Sequence, residues 1–283
     1  MSSADPRRAA VLGSPVGHSL SPVLHRAAYA ALGLTGWTYD AIDIGADGAL
    51  LPDIVRRSGT GWAGFSVTMP GKPGAAAIAD DRSTRVRRLG VANTLVRHDG
   101  GWAAENTDVD GVAGALTAAG ATGLRRGLII GAGGTGMAAL LALSELGVTD
   151  LVVAGRRESS TAAALELAHA LGLGARHAAL DPDGIAAVAA EVDVAVATAP
   201  AGALDALAAP LAGVPVLFDA IYHPWPTALA AAGAAGRITV TGLDMLLHQA
   251  FRQVELMTGR AAPRAAMRDA LIAAAGATLP LPY

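Results

Sequence analysis

Cysteine is absent from this chain of 283 residues, which excludes disulfides, cysteinyl zinc sites and thiol nucleophiles and fits a reducing compartment. Charge is sparse: 16% of residues are charged, too few for a disordered chain, and a net charge of -3 leaves no basic footprint for nucleic acid. No uninterrupted apolar stretch reaches the length of a membrane span, and Met1 to Arg8 is polar, without the apolar segment of a signal peptide. Aromatics make up only 4% of a chain rich in alanine and glycine. With helix and strand patterns alternating along it, that balance describes a packed α/β protein, and the length suggests roughly two domains. The expectation is a soluble, cytoplasmic protein that binds a small molecule, with no nucleic-acid or membrane partner. Arginine pairs such as Arg56-Arg57 and Arg125-Arg126 are short enough to be solvated faces.

Ala9 to Leu12 is an apolar run ending at Gly13, the pattern of a buried strand. Pro22 to Leu32 reads as a helix with Ser21 as its N-cap and Pro22 at its first position. Strands are expected at Trp37 to Ile44 and Trp62 to Thr68, with a helix near Asp47 to Arg57 between them. A hairpin over Asn93 to Glu105 turns at Asp99-Gly100-Gly101. Leu128-Ile129-Ile130 opens a second series, with strands near Leu151 to Val153, Val192 to Ala197 and Val214 to Phe218. Alanine-rich helical stretches separate them, which implies a parallel sheet with right-handed crossovers. After Gly242 the pattern is wholly helical. The expected domains are residues 1–106, 107–241, and a tail, 242–283, that packs back on the first.

Gly131-Ala132-Gly133-Gly134-Thr135-Gly136 follows the apolar strand and opens an apolar helix, the context that makes a glycine motif a dinucleotide loop. Gly131 allows the tight turn, Gly133 the approach of a pyrophosphate, and Gly136 close helix packing. About 20 residues on, where an NAD site offers a carboxylate to the ribose 2′-hydroxyl, the chain has Arg156-Arg157. Two guanidiniums suit a 2′-phosphate, so NADP is favoured, with Glu158 the argument for NAD.

Lys72 follows a Thr-Met-Pro-Gly turn at the start of a helix, where the helix dipole disfavours its charge. That setting suits a lysine to acid–base work, although position alone favours a merely solvated side chain. Asn106-Thr107-Asp108 supplies a carboxylate that could orient such a lysine, and Asp108 could equally cap its own helix. Ser19 and Ser21, at the start of a helix, offer hydroxyls and unpaired N–H groups to a carboxylate. His18, His25, His223 and His248 lack metal-like partners, so no metal is expected. A proton-handling pair beside a dinucleotide loop indicates redox chemistry on a small polar molecule.

Seven blocks in order then resemble the shikimate dehydrogenases, from the first strand to the C-terminal helices. They are Gly13-Ser14-Pro15 with His18 to Pro22, Ser66 to Pro70 with Lys72, Ala92 to Leu95, and Asn106-Thr107-Asp108 with Gly111. The glycine loop, Asp219 to Pro224 with Thr227, and Gly242 to Ala250 complete the set. Ser66 stands where the family commonly has Asn, Glu105 where it has Gly, and Ala197 and Ala199 where it has Asn and Thr.

The resemblance implies an α/β protein of two domains: a Rossmann-type NADP-binding domain, and an α/β substrate domain completed by the C-terminal helices. It implies NADPH-dependent, reversible reduction of 3-dehydroshikimate to shikimate, a step of aromatic amino-acid precursor synthesis. Lys72 and Asp108 would form the catalytic pair. Ser19 and Ser21 would bind the carboxylate, with Thr68, Asn93, Tyr222 and Gln249 around the ring hydroxyls. Arg156 and the glycine loop would hold the cofactor, with Ala220, Gly242 and Met245 near its nicotinamide. The enzyme alternative is a quinate/shikimate or aminoshikimate dehydrogenase of wider range. The non-enzyme alternative is a ligand sensor on the same fold.

Overall fold

Runs of small and branched apolar residues give central strands buried on both faces, and more polar strands complete two sheets at their edges. The computed structural model describes residues 5–99, 101–276 and 281–283. The chain divides into two compact units, Met1–Thr107 with Leu247–Leu281, and Asp108–Leu246 with Pro282–Tyr283.

The first unit runs β1 (Arg8–Gly13), α1 (Ser21–Ala31), β2 (Thr38–Asp43), α2 (Leu51–Arg57), β3 (Trp62–Val67), α3 (Lys72–Ile78), β4 (Asp81–Arg82), α4 (Thr84–Leu89), β5 (Thr94–His98) and β6 (Gly101–Glu105). Its sheet has the order β2-β1-β3-β5-β6-β4. The first three of these neighbours are parallel, β5 is antiparallel to both β3 and β6, and β4 is parallel to β6. Leu12, Phe65, Leu95 and Trp102 fill one face of it.

The second unit contains α5 (Asp108–Ala118), β7 (Arg126–Ile130), α6 (Gly134–Glu145), β8 (Asp150–Gly155), α7 (Ala162–Ala170), β9 (Gly174–Ala179), α8 (Pro182–Ala189) and β10 (Val194–Ala197). It continues with α9 (Ala208–Leu211), β11 (Val216–Asp219), α10 (Ala228–Ala231), β12 (Ile238–Thr241) and the start of α11 (Gly242–Thr258). Every neighbouring pair in its sheet, β12-β11-β10-β7-β8-β9, is parallel. The strand order reverses between β7 and β10, and in open α/β sheets ligands bind beyond the carboxyl ends of the strands at such a point. From Leu247 onward α11 belongs to the first unit, where α12 (Arg264–Ala275) packs on α1.

One reading of the sequence needs correction. Ser21 is the first residue of α1, not its cap; Leu20 holds that position without a side-chain hydrogen bond. Ser19 Oγ instead accepts the Ser21 N–H at 3.3 Å, so the helix start is served from two residues upstream. Three strands escaped sequence reading: β4 is two residues long, β9 is an edge strand carrying Arg176 and His177, and β12 is a short edge strand. The hairpin of β5 and β6 forms, but Gly100 of its expected turn lies outside the described residues.

Candidate functional site

In the first unit the segments following β1 and β3 are tied together. Thr68, directly after β3, donates its N–H to Leu12 O at 2.8 Å, and Ser14 donates to Met69 O at 3.0 Å. The chain then turns through Gly71 into α3, whose first residue is Lys72. Ala92 donates its N–H to Lys72 O at 3.0 Å, and Val67 donates to Asn93 O at 2.7 Å. Backbone pairing thus brings Thr68, Lys72 and Asn93 to one end of the sheet.

Lys72 is also the only lysine of the chain; the other twenty cationic side chains are arginines. An arginine guanidinium does not release a proton near neutrality, whereas a lysine ammonium can. Lys72 thus differs from every other basic side chain of Lys or Arg type in the sequence in carrying a proton that it can exchange. This compositional signal was open to sequence reading, and motif matching passed over it.

Behind these residues lies a chain of buried polar side chains that motif matching did not find. Tyr39 Oη donates to Ser66 Oγ at 2.6 Å, and Ser66 Oγ donates to Gln253 Oε1 at 2.8 Å. Gln253 Nε2 donates to Thr94 Oγ1 at 3.1 Å, and Thr94 donates to Asn93 Oδ1 at 2.9 Å. Thr107 adds its N–H at 2.7 Å to the same Asn93 oxygen, and Asn93 Nδ2 donates to Gln249 Oε1 at 3.1 Å. His25, stacked on Tyr39 with ring centroids 4.0 Å apart, meets Gln253 Oε1 at 3.3 Å. Burial pushes the imidazole down to about 4, against the opposing pull of that hydrogen bond, so the ring is neutral at pH 7. Burial also raises the Tyr39 phenol, which stays protonated. Ser66, the departure from Asn, is therefore built into this network. Glu105, the departure from Gly, accepts from Ser83 Oγ at 2.7 Å and from the Asn106 N–H at 2.8 Å, which holds the turn before Asp108.

Asp108 opens the second unit as the first residue of α5, with Asp110 in the same turn, where the helix dipole favours acidic side chains. The glycine loop lies between β7 and α6. Gly131 has φ +103°, and a Cβ on Gly136 would collide with the Gly131 carbonyl oxygen, so both positions demand glycine. Gly133 and Gly134 are exposed, with no other heavy atom within 4 Å of where a Cβ would stand. No side chain caps α6, which leaves its first N–H groups for an anion. Ala132 and Thr135 complete the turn. The loop therefore fits a dinucleotide pyrophosphate.

Arg156 and Arg157 follow β8, are exposed, and have no side-chain partner among the described residues. Thr198, after β10, donates to Ile130 O at 3.1 Å and Gly131 O at 3.2 Å, bracing the loop from the neighbouring strand. Asp219 ends β11 and accepts from the Ile221 N–H at 3.1 Å and Thr227 Oγ1 at 2.6 Å. Those two bonds shape the segment that carries Ala220 and the exposed Tyr222. Gly242 packs so closely on the Ala220 carbonyl that a side chain would not fit, and Met245 lies within the first turn of α11. His18 and His223 are exposed surface residues, and His248 lies edge-on to Phe251.

A doubly wound nucleotide-binding sheet, joined in one chain to a mixed α/β unit with a polar cradle, defines the class as a two-domain dinucleotide-dependent oxidoreductase. Comparison with known proteins narrows it. Residues 11–95 match the shikimate dehydrogenase substrate binding domain, and residues 242–272 the shikimate 5'-dehydrogenase C-terminal domain. A curated relative from Methylobacterium radiotolerans, shikimate dehydrogenase (NADP(+)), is 36% identical over 96% of this chain and 99% of its own length. The crystal structure of Mycobacterium tuberculosis shikimate dehydrogenase superposes with a TM-score of 0.89 at 51% identity, covering 95% of this chain and 100% of that one. The Thermus thermophilus enzyme in complex with NADP(H) and shikimate superposes with a TM-score of 0.80 at 31% identity, covering 95% of this chain and 99% of that one. The chain belongs to the shikimate dehydrogenase family.

Proposed function

We propose that this protein reduces 3-dehydroshikimate reversibly to shikimate with NADPH, as a step in aromatic amino-acid precursor synthesis in the cytoplasm. The observation that carries the reading is the pairing, in one chain, of the lone lysine beside a polar cradle with an uncapped glycine-loop helix followed by two arginines. Relatives named shikimate dehydrogenase (NADP(+)) across nearly the whole chain support it.

In this reading residues 1–106 hold the substrate, residues 107–241 hold the dinucleotide, and residues 242–283 complete the substrate domain. Ser19 and Ser21 bind the carboxylate through their hydroxyls, while Thr68, Asn93, Tyr222 and Gln249 address the ring oxygens. The glycine loop, Arg156 and Arg157 hold NADP(H), with Ala220, Gly242 and Met245 at the nicotinamide end. The bound cofactor supplies the hydride. Lys72 delivers a proton from Nζ to the carbonyl oxygen as it gains negative charge, and recovers one from solvent afterwards. Asp108 accepts a hydrogen bond from the adjacent ring hydroxyl and keeps the lysine aimed.

The test is dinucleotide reduction followed by absorbance, with shikimate or quinate offered against NADP or NAD in all four combinations. Preference for shikimate with NADP is the expected result. Comparable turnover of quinate would assign a broader dehydrogenase, and no turnover in any combination would overturn the enzymatic reading.

A further inference from the structure

Gln249 Oε1 is occupied by Asn93 Nδ2, while Gln249 Nε2 has no hydrogen-bond partner among the described residues. The side chain therefore presents N–H donors, and which end of an amide faces outward decides whether it can bind a carbonyl oxygen. That polarity is inherited. Asn93 can offer Nδ2 to Gln249 only because its own Oδ1 gathers the Thr107 N–H and the hydroxyl protons of Thr94 and Thr107. The Thr94 proton points that way because Gln253 Nε2 already donates to the Thr94 oxygen. Gln253 is fixed in turn, since its Oε1 receives Ser66 Oγ–H at 2.8 Å and faces His25 Nε2 at 3.3 Å. With the imidazole neutral, a proton on Nε2 makes His25 a second donor to that oxygen. Gln253 is 3% exposed and stands four residues, about one helical turn, after Gln249 on α11.

We propose that Gln253 is a positioning residue that, through Thr94 and Asn93, turns the Gln249 amide so that it donates to the substrate's oxygen. This rests on the function proposed above and names a residue it does not use. A glutamine that only packed α11 on the sheet would need none of this directionality. The ordered run of donors instead favours recognition of a keto oxygen, which can only accept.

The experiment compares wild type with Gln253→Met, which keeps length and loses both polar ends, Thr94→Val, and the double variant. KM for 3-dehydroshikimate should rise roughly three- to tenfold in each single variant, the worth of one neutral hydrogen bond. KM for NADPH should stay within about twofold, and the double variant should be no worse than the weaker single one, as expected for residues acting along one path. An unchanged substrate KM, an equal rise for NADPH, or additive effects would overturn the proposal. Should Gln253→Met fail to fold, Gln253→Glu keeps the acceptor oxygen and loses the donor to Thr94, and must show the same substrate-only rise. The Gln249 side-chain amide signal in NMR spectra of the free protein provides a reading independent of turnover. It must shift in Gln253→Met relative to wild type; no shift overturns the proposal, whereas a shift in a protein without turnover would overturn the function alone.

Discussion

The backbone N–H of Thr107 donates to Asn93 Oδ1 at 2.7 Å, so the residue immediately before Asp108 is held by a side chain of the buried polar network. The same Asn93 side chain thus takes the Thr107 N–H on Oδ1 and offers Nδ2 to Gln249. Asn93→Leu would leave that buried N–H without an acceptor, at a cost of about 1–3 kcal/mol. Denaturant unfolding should show this loss, and steady-state kinetics should show raised KM together with lowered kcat. An effect on KM alone would mean that Asn93 binds substrate without positioning Asp108.

Lys72 tests differently. Removing a general acid typically costs roughly 10²–10⁴-fold in rate, so Lys72→Ala should lower kcat by about that factor while KM moves little. Lys72→Arg retains the charge and loses the exchangeable proton, and should be nearly as impaired as the alanine variant. Substantial activity in the arginine variant would reduce Lys72 to an electrostatic anchor.

In the proposed function the arginines after β8 set the choice of cofactor. Each would there meet the 2′-phosphate of NADP, and charge-assisted bonds to phosphate are the strong ones. Arg156→Ala and Arg157→Ala should raise KM for NADP about tenfold or more while leaving KM for NAD nearly unchanged. Equal effects on both dinucleotides would show that the guanidiniums do not read the 2′ position.

What was legible in the sequence follows a physical division. Strands β1, β3, β7, β8, β10 and β11 contain runs that are apolar over most of their length, because both their faces are covered, and each was visible as such. The edge strand β9 carries Arg176 and His177, so its sequence gives no such sign. The glycine loop was readable because strand, loop and helix are contiguous. Gln253 was not, since its partners His25, Ser66 and Thr94 lie 228, 187 and 159 residues away, and no local pattern encodes such a meeting. The reversal of roles between Ser19 and Ser21 turns on backbone angles at Leu20, φ -84° and ψ -3°, which residue preferences at helix starts do not specify.

His25 predicts how stability depends on acidity. Fully buried between Tyr39 and Gln253, its imidazole lies at about 4 in the folded protein against an ordinary value of 6.5. The unfolded chain therefore binds this proton more readily than the folded one. Stability from this group is complete above pH 6.5 and declines as pH falls toward and through about 4. The loss over that window is on the order of 3 kcal/mol. His25→Phe keeps the stacked ring and removes the titration. Denaturant midpoints at pH 7.5 and pH 4.0, set by the experimenter for both proteins, isolate the term by difference, since carboxylates contribute to both alike. Wild type should lose about 3 kcal/mol more than His25→Phe across this interval. Equal losses would mean that folding does not keep the imidazole neutral.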